Sequence, residues 1–179
     1  MGGNLSKLHE YLKSQESLIT SAVEGMTLLD FIDRNANEYP DHPALNSPAN
    51  AEYSAWDSIS WSDFRETSKN LASGLMTLGL GPGDTAFIMS NNTKEHNIAD
   101  LGIVYSGATP STLYKQLKYS QIEYVANLME AKVAIVGDLE LFEEVNKAKK
   151  DCINLNAIVL IDGYEEKKEL DYVYSYHEL

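Results

Sequence analysis

Residues 58–92 read SISWSDFRETSKNLASGLMTLGLGPGDTAFIMSNN, and this stretch decides the fold. Ser60 and Asp63 stand three residues apart before an apolar-periodic run, which is the spacing of a capping box. The Ser60 hydroxyl would accept from the N–H of Asp63, and the Asp63 carboxylate from the N–H of Ser60. A helix is therefore expected to begin near Trp61. Its apolar residues recur about every 3.6 residues and must be buried; they are Phe64, Leu71, Ala72, Leu75 and Leu78.

The stretch continues with a rigid turn and a buried strand. Gly79 is expected to end the helix, because glycine takes the left-handed C-terminal conformation without steric cost. In the turn Gly81-Pro82-Gly83-Asp84, proline fixes φ at the second position, and glycine permits the positive φ that a type II turn needs at the third. Residues 86–89 are an unbroken apolar run, which is typical of a strand covered on both faces.

Strands and helices alternate through the rest of the chain with short connections. The expected elements are a helix over residues 93–105, a strand over 109–113, a helix with a capping box at Ser120 and Glu123, a strand over 133–136, a helix capped by Asp138 and a strand over 157–161. This alternation predicts the α/β fold class, with a mostly parallel sheet and helices on both faces.

Residues 1–26 are predicted to form an N-terminal helical extension. Leu5, Leu8 and Leu12 have helical spacing, but the rhythm is lost over residues 14–17 and recovers only in part. A loose helix is favoured over a membrane-surface or partner helix, because the polar face is not basic. At most peripheral membrane contact is expected.

The domain proper is predicted over residues 27–179. Thr27 and Asp30 form a second capping box at its start. Near its end, Ser175 and Glu178 have the spacing of one more capping box, yet no helix follows them. A helix start without a helix predicts a chain cut short, so we expect the N-terminal part of a longer protein.

The composition argues against several classes of protein. At 179 residues, with 44% apolar and 23% charged residues, the chain has the make-up of one soluble globular domain. A net charge of -13 argues against nucleic acid, whose phosphates the chain would repel. Apolar runs fall short of the ~20 residues of a membrane span, and a signal-peptide pattern is lacking, so a cytoplasmic location is expected. The single cysteine, Cys152, is expected to be inert rather than a nucleophile.

Two features that suggest ligand sites are better explained by structure. The glycine cluster at residues 79–83 follows a helix, precedes a strand and includes a proline, whereas a phosphate cradle follows a strand and opens a helix. The histidines are dispersed without metal-ligand spacing, so no metal site is expected; they are His9, His42, His96 and His177.

Three polar residues follow predicted strands and are the candidates for a site. Asn91 and Asn92 stand at the carboxyl end of a strand, where ligands of open α/β sheets bind, although capping of the next helix is the favoured role. Tyr114 ends the following strand and is a candidate to line an acyl channel. A buried ring with an exposed hydroxyl is the favoured interpretation there.

The opening stretch resembles the start of the AMP-forming acyl-CoA synthetases of the acyl-adenylate-forming superfamily. Long-chain fatty acid–CoA ligases look most similar, since their Trp-x-x-Phe opening matches Trp61 and Phe64. His96 and Thr112 depart from that subfamily, which usually has Trp and Pro there. The resemblance covers residues 27–162 and rests on Ser60-Trp61, the helical motifs Asn-Leu-Ala-Ser-Gly-Leu and Leu-Gly-Leu, Gly-Pro-Gly-Asp, Ser90-Asn91-Asn92, Glu95, Ser106-Gly107-Ala108, Leu113-Tyr114, Glu123-Tyr124 and Ala131-Lys132-Val133.

The resemblance implies the N-terminal portion of a long-chain fatty acid–CoA ligase, including a small hairpin near residues 43–57. The full-length parent is expected to use ATP, CoA and Mg²⁺. The family's Gly/Ser/Thr-rich loop, metal-binding Glu, ribose-binding Asp and C-terminal catalytic Lys have no counterparts in residues 1–179. No catalytic, cofactor-binding or metal-binding residue is therefore assigned, and this portion is expected to be structural and inactive by itself.

The expected partners are the rest of the parent enzyme, namely its active-site subdomain and C-terminal lid, with a homodimer contact as a further candidate. Two alternatives stay open. One is another adenylate-forming enzyme, such as an amino-acid adenylation domain or a luciferase-like enzyme. The other is a self-sufficient α/β interaction module.

Overall fold

The computed structural model describes residues 3–48 and 54–179, so residues 1 and 2 of the expected extension lie outside the described part. The helices are α1 (Gly3–Val23), α2 (Leu28–Glu38), α3 (Trp61–Thr77), α4 (Lys94–Tyr105), α5 (Tyr119–Leu128) and α6 (Leu139–Lys149). The strands are β1 (Pro43–Pro48), β2 (Trp56–Ser60), β3 (Thr85–Met89), β4 (Thr109–Thr112), β5 (Val133–Val136), β6 (Ala157–Leu160) and β7 (Val173–Ser175). A short 3₁₀ helix spans Tyr164–Glu166.

Five strands form one wholly parallel sheet in the order β4-β3-β5-β6-β7. The prediction of a parallel α/β sheet is confirmed. Strands β1 and β2 pair antiparallel as a separate hairpin, which the family resemblance implied. In the described ranges, no helix combines the length and hydrophobicity that crossing a bilayer needs.

The unbroken apolar run of β3 is explained by helices on both faces of the sheet. Ala86 and Ile88 belong to one core cluster, with residues of α3 and α4. Phe87 and Met89 belong to a second cluster, with residues of α5 and α6. All four side chains are fully buried, because each has a helix layer above it.

The order of the strands reverses direction at β3. From β3 the chain crosses by α4 to β4 on one side, and then by α5 to β5 on the other side of β3. Helices α4 and α6 therefore leave β3 and β5 toward opposite faces of the sheet. This arrangement opens a crevice between the carboxyl ends of β3 and β5, where doubly wound sheets bind ligands.

The turn that follows α3 has the predicted conformation. Gly79 has a φ of 84°, and the N–H of Leu80 donates to the carbonyl of Leu75 at 3.2 Å, which closes the helix. Gly83 has a φ of 87°, and the N–H of Asp84 donates to the carbonyl of Gly81 at 3.0 Å, as a type II turn requires. The predicted conformation of this turn is thus confirmed.

Two predicted capping boxes are correct in whole or in part. The Thr27 hydroxyl accepts from the N–H of Asp30, and the Asp30 carboxylate accepts from the N–H of Thr27 at 2.6 Å. The Ser60 hydroxyl accepts from the N–H of Asp63 at 3.1 Å. The Asp63 carboxylate, however, accepts from the Ser60 hydroxyl at 2.8 Å rather than from the Ser60 N–H. Only one of the two predicted hydrogen bonds of this box therefore caps α3.

The predicted capping box at Ser120 and Glu123 is wrong. Helix α5 begins at Tyr119, and the Gln121 side chain accepts from the N–H of Lys118 at 3.1 Å. Gln and Glu reach equally well from the third helical position, so an earlier Gln displaced the expected start.

The two ends of the chain also differ from expectation. Helix α1 is continuous across residues 14–17, although the apolar spacing of the sequence is lost there and only a loose helix was expected. At the other end, Ser175 closes β7, and the N–H of Glu178 donates to its carbonyl at 3.4 Å in a turn. Ser175 and Glu178 therefore mark a turn within the described residues.

We predict that Asp84→Asn lowers the free energy of unfolding at pH 7. The Asp84 carboxylate contacts Nζ of Lys132 at 2.7 Å and accepts from the N–H of Gly81 at 2.9 Å. The hydrogen bond from Lys132 lowers the pKa of Asp84 from its usual 3.8, against the opposing effect of burial. Because the folded pKa lies below the unfolded one, this stabilisation is present above about pH 3.8 and is lost as the pH falls further.

Urea unfolding of Asp84→Asn and the wild type at pH 7, 4 and 3 checks this prediction. The difference between the two proteins is expected to shrink in acid. Asp41→Asn, which removes an exposed carboxylate, serves as the control and should show little difference at any pH. If Asp84→Asn lowered the free energy of unfolding equally at pH 7, 4 and 3, the role assigned to the Asp84 charge would be contradicted.

Candidate functional site

A cleft of about 260 Å³ opens at the carboxyl edge of the sheet, where the strand order reverses. Its walls come from the connections after β3, β5 and β6 and from the segment after β7. The lining residues are Ser90, Asn91, Thr93, Glu95, Gly137, Asp138, Ile161, Asp162 and His177.

The floor of this cleft is made by backbone segments in close contact. The N–H of Gly137 donates to the carbonyl of Met89 at 3.0 Å, and the N–H of Asp162 donates to the carbonyl of Gly137 at 3.1 Å. A Cβ at position 137 would lie 2.9 Å from Cβ of Ser90, so a side chain there would push the two connections apart. Glycine is required at this point because the two backbones touch.

Acidic side chains line the cleft. Glu95, Asp138 and Asp162 line it, and Asp138 also accepts from the N–H of Leu141 at 3.0 Å to cap α6, as predicted. Nζ of Lys115, at the adjoining edge, donates to Oδ1 of Asn91 at 2.7 Å. Carboxylates repel phosphate groups, so these residues do not fit the phosphates of ATP or CoA. In the part of the chain that the structure describes, His, Cys, Asp and Glu form no group of three or more suited to a metal ion.

His96 joins the ends of two neighbouring strands. Its Nδ1 lies 2.8 Å from Oγ of Ser90, and its Nε2 lies 3.2 Å from Oγ1 of Thr112. Asp100 follows one turn later in α4, where burial raises the pKa of its carboxyl and the charge of His96 partly offsets the rise. The imidazole thus holds the segment after β3 against the end of β4.

Sequence reasoning did not find this arrangement, although one signal pointed to it. His96 and Thr112 were noted as two separate departures from the long-chain ligase pattern. The structure brings them into hydrogen-bond contact across sixteen positions of sequence. A Pro in place of Thr112 would lack the hydroxyl that meets the imidazole, and a Trp in place of His96 would offer a single N–H and no acceptor.

The structure reassigns the three polar candidates. Helix α4 begins after Thr93 with no side-chain cap, so neither Asn91 nor Asn92 caps it. Asn91 instead lines the cleft. Tyr114 is 80% exposed, so the expectation of a buried ring is wrong, and its ring lies largely in solvent rather than in an enclosed channel.

Cys152 is partly buried, and that burial raises the pKa of its thiol, which supports an inert role.

The family model for AMP-binding enzymes matches residues 32–175. The chain therefore belongs to the AMP-binding enzyme family. This match includes all five strands of the parallel sheet and the cleft at its carboxyl edge, apart from His177.

Relatives of two very different lengths match this chain. A long-chain-fatty-acid–CoA ligase, ACSBG2 of Xenopus laevis, is 25% identical over 158 residues, which are 88% of this chain and 21% of that protein. The uncharacterized protein Rv1549 of Mycobacterium tuberculosis is 27% identical over 150 residues, which are 84% of this chain and 81% of that protein. The chain thus spans about a fifth of the ligase and four-fifths of the shorter relative.

Solved structures share the fold. A putative long-chain-fatty-acid CoA ligase from Rhodopseudomonas palustris superposes with a TM-score of 0.72 at 21% identity, covering 87% of this chain and 36% of that one. The anthranilate CoA ligase AuaEII, solved with anthranoyl-AMP, gives 0.71 at 20% identity, covering 83% of this chain and 26% of that one. The chain therefore shares with these ligases only the α/β fold of their N-terminal part.

Proposed function

We propose that this chain forms the N-terminal part of an adenylate-forming acyl-CoA ligase that acts on long-chain fatty acids. The observation that carries the proposal is the family match over residues 32–175, together with the similarity to ACSBG2. In such an enzyme a fatty carboxylate attacks the α-phosphate of ATP and releases pyrophosphate, and the CoA thiol then displaces AMP.

The role of this chain in that enzyme is to support the active site. The acidic cleft does not suit ATP, CoA or their phosphates, so the groups that bind them belong to other parts of the parent. The rigid sheet, covered by helices on both faces, provides a fixed base for the neighbouring subdomain. The remaining subdomains of the parent are the proposed partners, and the cytoplasm is the proposed location.

We predict that the isolated chain binds neither ATP nor CoA at micromolar concentration. Isothermal titration of the purified chain with each ligand, with and without Mg²⁺, measures this directly. The repulsion between the cleft carboxylates and the ligand phosphates is the physical reason. Micromolar binding of either ligand would contradict the supporting role and would place nucleotide chemistry within residues 1–179.

The substrate is tested with the protein encoded by the complete open reading frame. Pyrophosphate release would be measured with palmitate, 4-coumarate and a panel of amino acids, each with and without CoA. Palmitate is expected to give the highest rate and to yield a thioester. Pyrophosphate release with amino acids, and not with palmitate or 4-coumarate, would instead assign the chain to the amino-acid adenylating enzymes.

A self-sufficient α/β module is the second candidate function, and the length of Rv1549 favours it. This chain covers 81% of that protein, so relatives of similar size occur. A stop codon directly after Leu179 in the gene would support the module. A Gly/Ser/Thr-rich loop followed by Lys-Gly in the downstream coding sequence would support the ligase.

A further inference from the structure

A second cavity lies beside the acidic cleft, between the carboxyl ends of β3 and β4; we call it the β3–β4 cavity. Its walls are residues 90–92 after β3, His96 of α4, and residues 112–116 at the end of β4 and after it. Ser90 and Asn91 also line the acidic cleft, so the two cavities share a wall. Its volume of about 340 Å³ lies near the lower end of the range for small-molecule sites, about 300–1,000 Å³, and therefore suits a small ligand.

Hydrogen bonds across the β3–β4 cavity hold its two walls at a fixed distance. His96 contacts Ser90 on one wall and Thr112 on the other. Nζ of Lys115 donates to Oδ1 of Asn91 at 2.7 Å, again from one wall to the other. Because these contacts join the walls in the protein alone, the cavity is formed before a ligand arrives, and binding orders few side chains.

The lining of this cavity carries a positive charge and lacks a negative one. In the described part of the chain, the residues that line it include no aspartate or glutamate, although the net charge of the protein is -13. The Lys115 ammonium is held by a neutral amide oxygen, whereas that of Lys132 contacts the Asp84 carboxylate at 2.7 Å. An ammonium has three N–H groups, so Lys115 can donate to a ligand while it holds Asn91.

The ligand that matches this charge is a monoanion. Both ring nitrogens of His96 face hydroxyl groups of the walls, so the imidazole is engaged within the protein and Lys115 supplies the charge. A dianion such as phosphate would leave one charge uncompensated beside Glu95 and Asp138 of the acidic cleft. A carboxylate carries a single charge and accepts strong, short hydrogen bonds from an ammonium.

We propose that the β3–β4 cavity binds a small aromatic carboxylic acid in its ionised form. Lys115 donates to the carboxylate, and the ring of Tyr114, which lines the cavity and is 80% exposed, stacks on the aromatic ring of the ligand. The proposal rests on the cavity of this chain and not on the proposed ligase activity, because neither ATP nor CoA takes part in this binding.

Heteronuclear NMR of the purified chain at pH 8 and constant ionic strength tests the proposal. Benzoate, acetate and inorganic phosphate are titrated in turn, and the amide signals of residues 90–92 and 112–116 are followed. Benzoate is expected to shift these signals with a Kd of about 1 mM, since one charge-assisted contact and one stacked ring support binding of that order. Acetate lacks the ring and should bind about two- to tenfold more weakly, and phosphate more weakly than acetate.

A matched pair of substitutions removes the same charge at two nearby positions. Lys115→Gln keeps a side-chain amide that can still donate to Asn91, and is expected to weaken benzoate binding about tenfold or more. Lys118 lines the neighbouring groove with Asp138 and Glu140 but is not part of the β3–β4 cavity. Lys118→Gln is therefore expected to keep benzoate binding within about twofold, because solvent and salt screen its charge.

Tyr114→Ser tests the contribution of the ring separately. The variant is expected to bind benzoate as weakly as acetate, while its affinity for acetate stays within about twofold of the wild type. A preference for benzoate that survives this substitution would overturn the aromatic part of the proposal.

Three further outcomes would overturn the proposal as a whole. They are an absence of saturable benzoate shifts at residues 90–92 and 112–116, equal effects of Lys115→Gln and Lys118→Gln, and tighter binding of phosphate than of benzoate. The last result would assign the β3–β4 cavity to a phosphate group instead of a carboxylate.

Discussion

Replacing Phe87 with alanine is expected to lower the free energy of unfolding by about 3–5 kcal/mol. Phe87 lies on β3, an interior strand of the sheet, and is fully buried in a cluster with residues of α5 and α6. Alanine would remove the ring from a closely packed cluster that cannot collapse fully, because the sheet on one side and the helices on the other are fixed by many other contacts. Total stabilities are only about 5–15 kcal/mol, so this loss is a large share.

Urea denaturation followed by circular dichroism measures the effect. Tyr124→Ala is the control, because Tyr124 lies on α5 but is 68% exposed, and its loss should change stability by about 0.5 kcal/mol or less. If Phe87→Ala does not fold, Phe87→Leu keeps most of the volume and is expected to cost about 1–2 kcal/mol. Equal stability of Phe87→Leu and the wild type would show that the cluster is not closely packed around β3.

Replacing Gly107 with alanine is expected to cost about 2–4 kcal/mol. Gly107 ends α4 with a φ of 85°, where an L side chain is strained. In addition, a Cβ there would lie 2.8 Å from Cγ of Pro82, whose ring cannot rotate away. The substitution would therefore both strain the backbone and push the end of α4 from the type II turn after α3.

Gly79→Ala separates these two causes. Gly79 ends α3 with a nearly identical φ of 84°, but a Cβ there would have no atom within 4 Å. Its alanine variant should lose only the backbone contribution, about 1–2 kcal/mol. The difference between the two variants, measured by thermal or urea unfolding, isolates the contact with Pro82. If the two variants lost equal free energy of unfolding, the ring of Pro82 would have moved away from the new methyl group, and the contact would contribute nothing.

The fold could be predicted from the sequence because its signals are local. The apolar run at residues 86–89 and the turn glycine at Gly83 depend on neighbours within a few positions, and both were interpreted correctly. The start of α5 was missed because Gln121 competes with Glu123 for the same kind of cap. Sequence spacing alone does not decide between two acceptors of similar reach.

The candidate site was only partly predictable, since its contacts are tertiary. Asn91 does follow β3 at its carboxyl end and lines the cleft there, but the role favoured for it, capping α4, was wrong. The contact of His96 with Ser90 and Thr112 depends on how α4 lies across the ends of β3 and β4. No periodicity in the sequence encodes that crossing.

The position of β3 between two strands that follow it in sequence affects how the protein is made. Both of its neighbours, β4 and β5, come later in the chain, so β3 leaves the ribosome before either pairing strand exists. At ordinary rates of translation, the apolar strand waits on the order of seconds until residue 136 has emerged. Nascent chains stalled between β3 and β5 should accordingly bind chaperones that recognise extended hydrophobic segments, and release them once β5 is available.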